Sequence, residues 1–462
     1  MAERLTCKLA VLGAGPAGYV AAIRAAQLGA DVILIEEHEV GGVCMNVGCI
    51  PTKALLVSAD AANQVRKSKE FGIESQVTDI FWNRAVERKN RIVKSLGQGL
   101  SQLLNSKNIK ILNGKGVVIA PDRLLVRTAD GEVHVRCEKL IIATGARPVV
   151  PAIKGIKSEG VMTSDEALDL EDLPESLIII GGGVIGLEFA TMYAAAGVKV
   201  TVMEALDQIL PEQEEEISTQ ILKLMKRQGV VFKLSAGVKQ ITRTDEGLSL
   251  DYEMKGKDFT QTAEKVLVAT GRSLNTDFFV DFPLHIENGA VIVDEHMETN
   301  IKGVYAAGDI TGGKLLAHLA FMEGKTAAEH ALGMESRINQ RTVPACIYTN
   351  PEVASVGLTE KEAKNSGIEV QTGTFSFRHN GRALTLGERE GFVKVIIDSE
   401  HRIIGGHILG ANASEMISEL TLAITLQAKA EVLADMIHPH PGMNEAVWEA
   451  CSDAIGRSIH KG

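Results

Sequence analysis

The sequence contains few cysteines, no long apolar run and no excess of basic residues. Six cysteines in 462 residues do not make the disulfide framework of a secreted protein. No apolar run approaches the roughly 18 residues that span a membrane, and Glu3, Arg4 and Lys8 interrupt any apolar targeting signal at the N-terminus. The net charge of −11 argues against a nucleic-acid or anionic-membrane surface. We therefore expect a protein of a reducing compartment, the cytoplasm, with no nucleic-acid and no membrane partner.

Glycine is frequent, with 45 residues, and one cluster follows a short apolar strand at residues 9–12. Gly13, Gly15 and Gly18 stand at the spacing of the dinucleotide fingerprint, and a helical stretch and a second strand follow, ending in Glu36. The first glycine permits a tight turn, the second admits a pyrophosphate, the third lets helix pack on strand, and the acid accepts ribose hydroxyls. The phosphates would lie at the helix N-terminus, where free N–H groups favour anions. This order of elements predicts a dinucleotide site.

A second copy of the pattern follows the apolar strand at residues 177–180. Gly181, Gly183 and Gly186 repeat the glycine spacing, and Glu204 ends the next strand at the same spacing as the acid of the first copy. A carboxylate there accepts the 2′-hydroxyl of NAD but repels the 2′-phosphate of NADP, which arginine would bind. None of the four residues after Glu204 is arginine or lysine. We therefore predict two dinucleotide sites, the second of which binds NAD(H).

Between these copies, Cys44 and Cys49 stand five residues apart. In an ideal helix such positions are about 7.5 Å apart along the axis, whereas a disulfide needs Cα atoms about 4.4–6.8 Å apart. The pair can therefore bridge only if the helical turn is distorted, which Gly48 would permit. A bridge over so small a loop adds little chain entropy and suits reversible chemistry. Two unrelated buried cysteines and a zinc half-site, which would need a second pair, are the alternatives.

Apolar runs predict separate strands at residues 133–135 and 140–142, and an alanine-rich run predicts a helix at about residues 318–332. From about residue 342 the chain has no nucleotide fingerprint. Strand-like runs at residues 369–377, 392–398 and 403–409 alternate there with helical patterns, one of which starts with a capping box at residues 359–362, and together they predict an α+β domain. Near its end, a helix beginning at Glu445 follows His440, which stands between two prolines. A carboxylate that folds back on the imidazole would fix its tautomer and raise its proton affinity, as a general base requires. The alternative is a surface turn with an incidental histidine. Asp309, after an apolar strand and a glycine, could cap a helix or meet a cofactor hydroxyl.

Taken together, the two fingerprints, the Gly-Gly-x-Cys-x4-Cys-x-Pro-x-Lys stretch at residues 41–53 and the His-Pro-x3-Glu segment at residues 440–445 resemble one family. They are similar to the FAD-dependent pyridine-nucleotide disulfide oxidoreductases over essentially the whole chain. Within that family the resemblance is closest to the members that oxidise dihydrolipoamide with NAD. Those members serve 2-oxo-acid dehydrogenase complexes and the glycine cleavage system.

The resemblance implies a role for each matching position. Cys44 would exchange with substrate and Cys49 with the flavin, while His440, held by Glu445, would act as acid–base on the other subunit of a homodimer. Lys53 would lie near the flavin, paired with Glu188. FAD would be bound by Gly13, Gly15, Gly18, Glu36, Gly42, Val43, Gly116, Thr144, Gly145, Asp309, Leu315, Leu316, Ala317 and His318. NAD would be bound by Gly181, Gly183, Gly186, Glu204, Val238 and Gly271.

The implied fold is α/β, with two Rossmann-like dinucleotide-binding domains and a C-terminal α+β dimerisation domain. The expected boundaries are 1–148 for the FAD domain, 149–273 for the NAD domain, 274–341 for a central segment that returns to the FAD domain, and 342–462 for the interface domain. The implied partners are dihydrolipoamide on lipoyl domains, a second copy of the chain, and the acyltransferase core of a dehydrogenase complex. No metal site is expected.

Three positions depart from the family pattern. Val43 stands where threonine is usual, and Gly442 and Met443 stand where a threonine and an aliphatic residue are common. None of these changes removes a titrating group. A sister reductase acting on another disulfide or on a metal is the alternative, opposed by Glu204 and by the absence of a C-terminal cysteine pair, since Cys451 stands alone. A scaffold protein that has kept the fold without catalysis is a further alternative.

Overall fold

The computed structural model describes residues 3–278, 282–339 and 342–461. The predicted domain boundary at residue 341 and the two chain ends therefore lie outside the described residues. The helices of the described residues are α1 Pro16–Gln27, α2 Gly42–Asn46, α3 Cys49–Lys67, α4 Trp82–Ser106, α5 Ser164–Ala167, α6 Val184–Ala195, α7 Glu215–Arg227, α8 Ala317–Ala331, α9 Glu360–Asn365, α10 Gly381–Leu386, α11 Ala413–Thr425, α12 Ala430–Ala434 and α13 Glu445–Ala454.

The strands of the same residues form six sheets. They are β1 Glu3–Leu12, β2 Val32–Glu36, β3 Lys110–Asn113, β4 Lys115–Ala120, β5 Arg123–Thr128, β6 Gly131–Ile142, β7 Ala146–Pro148, β8 Val161–Met162, β9 Ser176–Ile180, β10 Lys199–Met203, β11 Val231–Lys233, β12 Ala236–Thr244, β13 Gly247–Met254, β14 Lys257–Ala263, β15 Lys265–Val268, β16 Arg272–Leu274, β17 Ile286–Glu287, β18 Ala290–Val291, β19 Val304–Ala306, β20 Ala345–Ile347, β21 Glu352–Gly357, β22 Val370–Ser376, β23 Phe392–Asp398 and β24 Ile403–Gly410.

The first dinucleotide unit is built on a seven-stranded sheet in the order β3-β2-β1-β6-β5-β4, with β19 paired to β6. Strands β1, β2, β3, β6 and β19 run parallel, so their carboxyl ends meet at one edge. Their buried residues are almost entirely apolar because helices cover the sheet. The pairing of β19 with β6 returns the chain, after the second unit, to the first sheet.

Strand β6 corrects one sequence expectation. The separate strands predicted at residues 133–135 and 140–142 are parts of one 12-residue strand. Its first half alternates exposed and buried residues where it pairs with β5, and its last three residues are fully buried between β1 and β19. The change of pattern reflects a change of neighbours within one strand.

The second unit is a five-stranded parallel sheet in the order β11-β10-β9-β15-β8. Helix α6 follows β9 and is buried along nearly its whole length. An antiparallel sheet, β12-β13-β14, extends this unit, and the sequence analysis did not identify it. Its inner face packs on β9 and β15 around Leu248 and Leu250.

The third unit is an antiparallel sheet in the order β20-β21-β24-β23-β22. Helix α11 packs on β21 and β24, and α13 packs on β22 and β23. The strands predicted at residues 369–377, 392–398 and 403–409 are confirmed to within one residue at each end. Thr359 and Glu362 form the predicted capping box at the start of α9.

One helical stretch, Gly42–Phe71, is long and apolar enough by length and composition to cross a membrane, with 28% of its most apolar window buried. The sequence expectation that no segment is long and apolar enough to span a membrane is therefore corrected. That expectation considered only uninterrupted runs of apolar residues, whereas in this stretch small and polar residues stand between the apolar ones. Its main helix, α3, packs on α4 and α6. Length and composition alone do not distinguish a membrane span from a helix packed inside a protein.

Candidate active site

The two cysteines lie on either side of a break between helices α2 and α3. Cys44 is in α2, Cys49 begins α3, and Gly48 between them has φ −142° and ψ −110°. A Cβ on Gly48 would stand 2.8 Å from the carbonyl oxygen of Val43 and 3.3 Å from the Cα of Cys44. The distortion expected at Gly48 is therefore present, because only glycine allows the backbone to fold back so closely.

Cys44 and Cys49 are both free thiols in this structure and are partly buried. A hydrogen bond from Cys44 lowers the pKa of the Cys49 thiol, and the ammonium of Lys53 lowers it further. The same hydrogen bond, together with burial, raises the pKa of Cys44. The pair therefore holds one proton on Cys44 and favours the thiolate at Cys49, so the two sulfurs are chemically distinct.

Lys53 reaches this pair from the first full turn of α3. Its ammonium lies 2.7 Å and 2.9 Å from the two carboxylate oxygens of Glu188 on α6. It also lies 4.7 Å from the ring centre of Tyr348, whose backbone N–H donates to Glu188. Glu188 is 5% exposed, whereas the side chain of Lys53 is 32% exposed, so the ion pair is buried on the Glu188 side and partly open to water on the Lys53 side. Three units of the molecule therefore meet at one charged site beside the cysteines.

The first fingerprint forms an open helix N-terminus. Gly13 has φ +101°, and a Cβ there would stand 2.2 Å from the carbonyl oxygen of Ala143. A Cβ on Gly18 would stand 1.8 Å from the carbonyl oxygen of Gly13. Gly15, the residue before α1, has no side-chain cap and no atom closer than 3.9 Å to its Cβ position. The residues present thus fit a pyrophosphate at the start of α1.

Glu36 lies at the end of β2 beside this turn. One carboxylate oxygen accepts a hydrogen bond of 2.6 Å from the N–H of Ala14, and the other accepts one of 2.9 Å from His38. The carboxylate is thus fixed at the carboxyl edge of the sheet, where a ribose would lie above the fingerprint. Gly116 lies next to this strand, where a Cβ would stand 2.4 Å from Leu12.

The second fingerprint repeats this geometry. Gly181 has φ +115°, Gly183 precedes α6 with open space at its Cβ position, and a Cβ on Gly186 would stand 2.1 Å from the carbonyl oxygen of Gly181. Glu204 accepts from the N–H of Gly182 at 2.6 Å and from Leu206 at 2.8 Å, as Glu36 does in the first unit. The residues present fit a second dinucleotide.

A cleft of about 2190 Å³ opens at the second fingerprint and continues towards the third unit. Among the predicted NAD positions, Gly181, Gly183, Glu204, Val238 and Gly271 line it, while Gly186 packs behind the turn. Leu315 and Leu316, assigned to the flavin side, line the same cleft. Two of the residues assigned to FAD therefore border the same space as five of the residues assigned to NAD.

Other positions assigned to FAD surround the first sheet and α8. Burial raises the pKa of Asp309, and Arg272 lies 3.8 Å from its carboxylate. Thr144 donates to the carbonyl oxygen of Asn275, and Gly145 has φ +69°. His318, in the first turn of α8 after Ala317, lies 2.6 Å from the carbonyl oxygen of Pro344. Gly42 and Val43 lie in α2, where a Cβ on Gly42 would stand 2.6 Å from Gly15.

His440 and Glu445 are joined as the sequence indicated. Nδ1 of His440 lies 2.9 Å from Oε1 of Glu445, and Gly442 donates its N–H to the other oxygen at 2.8 Å. Burial raises the pKa of Glu445, but these two hydrogen bonds outweigh it and lower the pKa overall. His440 is 79% exposed, and among the described residues no hydrogen bond joins it to either cysteine. It therefore faces solvent in the single chain.

Two charged groups were missed by the sequence analysis. Lys394 is 2% exposed and lies 2.8–3.0 Å from the carboxylates of Glu214, Glu216 and Glu360, joining the second unit to the third. His438 is 3% exposed and paired with Glu419 at 2.7 Å. In the sequence, only the position of His438 in the His-Pro-His-Pro run could have indicated that it belongs to the site. The partners of Lys394 are distant in the sequence, so no residue spacing could have predicted its ion pairs.

Two family models match most of this chain. The family model described as "Pyridine nucleotide-disulphide oxidoreductase" matches residues 7–324, and the dimerisation domain of the same family matches residues 343–451. The chain belongs to the pyridine nucleotide-disulphide oxidoreductase family. This disulphide oxidoreductase therefore belongs to a flavin-binding family, and its dimerisation domain supports a homodimer.

Individual relatives are similar over nearly their whole length. The dihydrolipoyl dehydrogenase of Bacillus subtilis (strain 168) is 41% identical over 97% of this chain and 98% of that protein. The crystal structure of LpdA from Mycobacterium tuberculosis is 28% identical, with a TM-score of 0.89, over 97% and 99% of the two chains. The Cu(II) complex of RclA, an HOCl-induced flavoprotein disulfide reductase of Escherichia coli, is 30% identical, with a TM-score of 0.86, over 97% and 99%.

Proposed function

We propose that this disulphide oxidoreductase oxidises dihydrolipoamide to lipoamide and passes the electrons to NAD. The observation that carries the proposal is the hydrogen-bonded pair Cys44 and Cys49, set beside the Lys53–Glu188 ion pair in a chain with two intact dinucleotide fingerprints. The relatives named dihydrolipoyl dehydrogenase, 35–41% identical to this chain, support the choice of substrate.

In the oxidised enzyme, Cys44 and Cys49 form the disulfide. His440 of one subunit takes the proton of a dihydrolipoamide thiol, and the resulting thiolate attacks the sulfur of Cys44. The Cys44–Cys49 bond breaks, and Cys49 leaves with its electron pair, which its lowered pKa favours. The second thiol of the substrate then attacks the substrate sulfur that is bonded to Cys44, the bond between that sulfur and Cys44 breaks, and lipoamide is released. The proton of the second thiol passes to the sulfur of Cys44, while the first proton stays on His440. Two electrons have moved from the substrate to the cysteine pair.

Reoxidation of the pair requires the two cofactors. FAD at the first fingerprint and NAD at the second supply, when bound, the two-electron chemistry that restores the disulfide. The ammonium of Lys53 lowers the pKa of Cys49 and so favours its thiolate, whereas the carboxylate of Glu188, which fixes Lys53, opposes this effect in part. Glu204, which has no basic neighbour in the four following residues, favours NAD over NADP.

The proposal extends to partners and location. The expected substrate is dihydrolipoamide on lipoyl domains. The expected assembly is a cytoplasmic homodimer, which docks on the acyltransferase core of a 2-oxo-acid dehydrogenase complex or serves the glycine cleavage system. A chain of net charge −11 would attract a basic docking domain. Co-purification that is lost on charge reversal of acidic surface residues would support this docking, and association unchanged by high salt would contradict its electrostatic basis.

The second candidate is a reductase of another disulfide or of a metal substrate. The similarity to RclA, solved as a Cu(II) complex, is the observation that favours it. Among the described residues the C-terminal segment has Cys451 as a single buried cysteine, without a second thiol to form a metal-binding pair. Rates with dihydrolipoamide, glutathione disulfide and Cu(II), measured side by side, separate the two candidates.

Replacement of one cysteine tests the proposed function. We expect Cys44→Ser to keep its FAD and to lose dihydrolipoamide-dependent reduction of NAD, because no sulfur remains for the substrate thiolate to attack. Cys7→Ser is the matched control, since Cys7 lies in β1 and its thiol donates a weak hydrogen bond to the carbonyl oxygen of Arg136 and not to either redox cysteine. Turnover by Cys44→Ser near that of Cys7→Ser would rule out the disulfide mechanism.

A further inference from the structure

His438, two residues before His440, lies in a different environment. Its side chain is 3% exposed, whereas that of His440 is 79% exposed. Nδ1 of His438 lies 3.1 Å from the carbonyl oxygen of Met436, and Nε2 lies 2.7 Å from a carboxylate oxygen of Glu419. A neutral imidazole has one N–H, so only the imidazolium donates to both of these acceptors.

Glu419 links this imidazole to the start of α13. Its second oxygen accepts a hydrogen bond of 2.7 Å from Nδ2 of Asn444. Asn444 immediately precedes Glu445, the first residue of α13, and Glu445 holds both His440 and the N–H of Gly442. Two hydrogen bonds therefore connect His438 through Glu419 of α11 to Asn444, and the peptide bond from Asn444 to Glu445 continues this connection to the carboxylate that orients His440.

The charged groups around His438 favour its protonated form. The hydrogen bond to Glu419 raises the pKa of His438, burial opposes this effect, and the carboxylates of Glu419 and Glu445 add to it. These carboxylates belong to α11 and α13, and the turn at Met436 adds a carbonyl oxygen.

We propose that His438 is a fixed imidazolium which, through Glu419 and Asn444, is a positioning residue for His440. The proposal rests on the proposed function, in which His440 takes the substrate proton. An exposed imidazole cannot be held by packing, so its orientation depends on Glu445 and on whatever fixes the start of α13. A displacement of about 1 Å in such a group can cost on the order of a hundredfold in rate.

Kinetics on the holoenzyme dimer test this role. We expect His438→Gln and Glu419→Gln each to lower kcat for dihydrolipoamide on the order of ten- to a hundredfold, with a smaller change in KM. Reduction of an artificial acceptor by NADH needs no His440 and is expected to stay unchanged. His401→Gln is the matched control, because His401 also pairs with a glutamate, Glu431, and within the described part of the chain no hydrogen bond connects that pair to His440.

A double-variant comparison separates positioning from a general loss of structure. In a His440→Gln background, Glu419→Gln is expected to cause no further loss, because it acts through the missing imidazole. If Glu419→Gln lowers kcat in the His440→Gln background by the same factor as in the unaltered enzyme, the proposal is overturned. It is also overturned if His438→Gln and Glu419→Gln lower the dihydrolipoamide and artificial-acceptor activities equally, or if they leave kcat for dihydrolipoamide within about twofold of that of the unaltered enzyme.

Nuclear magnetic resonance of the unaltered protein, with 15N-labelled histidine, examines the charge directly. His438, assigned by its disappearance in His438→Gln, is expected to give two N–H signals at neutral pH. A single N–H signal would overturn the proposal whatever the kinetics of the variants. If the unaltered enzyme does not oxidise dihydrolipoamide, the proposed function fails, while the two signals still report on the imidazolium.

Discussion

Lys53 is the side chain that most directly connects charge to the chemistry of the cysteines. Its ammonium lowers the pKa of Cys49 together with the hydrogen bond from Cys44, while Glu188 opposes it. A lowered pKa means that the thiolate persists as the pH falls towards neutrality and is lost only below the shifted value. Removal of Lys53 should therefore move loss of the thiolate to a higher pH.

We predict that Lys53→Met shifts the pH dependence of inactivation of the reduced enzyme by iodoacetamide upward by about one pH unit, since a nearby opposite charge commonly shifts a pKa by one unit or more. Lys67→Met is the control, because Lys67 lies on the same helix and pairs with a different glutamate, Glu388. Identical profiles for the two variants would show that Lys53 does not act on the pair.

Some residues of the site were identifiable from local sequence and others were not. The fingerprints, the cysteine pair and the His440–Glu445 pair each lie within a short segment, where fixed spacing reports geometry. Tyr348 beside Lys53 and Glu419 beside His438 meet their partners only through the tertiary fold. No spacing predicts such contacts, so their part in the site became visible only in the structure.

At the scale of elements, the break between α2 and α3 sets the separation of the two cysteines. Gly48 allows the chain to leave α2 and begin α3 within two residues. A methyl group there would meet backbone atoms at 2.8 Å, and backbone cannot give way as a flexible side chain can. The strain of such overpacking is typically about 1–3 kcal/mol.

We expect Gly48→Ala to lower the thermal unfolding midpoint and to slow reduction of the disulfide by dihydrolipoamide. Gly97→Ala is the control, because Gly97 lies inside α4 with no atom within 4 Å of its Cβ position, and alanine there should stabilise the helix by about 0.5–1 kcal/mol. Unchanged midpoint and rate in Gly48→Ala would mean that the break does not determine the cysteine geometry.

The ends of a helix or strand could be predicted where the hydrophobic pattern kept the same period along the whole element. Helix α8 and strand β23 match their predicted positions to within one residue. Strand β6 was divided because its hydrophobic pattern changes where its neighbours change. The sheet β12-β13-β14 went unrecognised because only one of its faces is buried and no nucleotide motif marks it.

At the scale of the molecule, three units converge on one site. The first unit provides the cysteines and Lys53, the second provides Glu188 and the NAD fingerprint, and the third provides Tyr348 and the outward-facing His440. Lys394 ties the third unit to the second through three carboxylates. In the proposed function His440 acts on the cysteine pair of the other subunit, so a second copy of the chain is required to complete each site.

Anaerobic reduction of the oxidised holoenzyme tests the central claim most directly. The enzyme is mixed with dihydrolipoamide, and its thiols are alkylated either at once or after addition of NAD or NADP. Cys44 and Cys49 are then examined by mass spectrometry. The account predicts that both cysteines are alkylated when alkylation follows reduction directly. It also predicts that NAD, but not NADP, restores the disulfide when it is added after reduction and before alkylation. A pair that dihydrolipoamide leaves oxidised, or that only NADP restores, would contradict it.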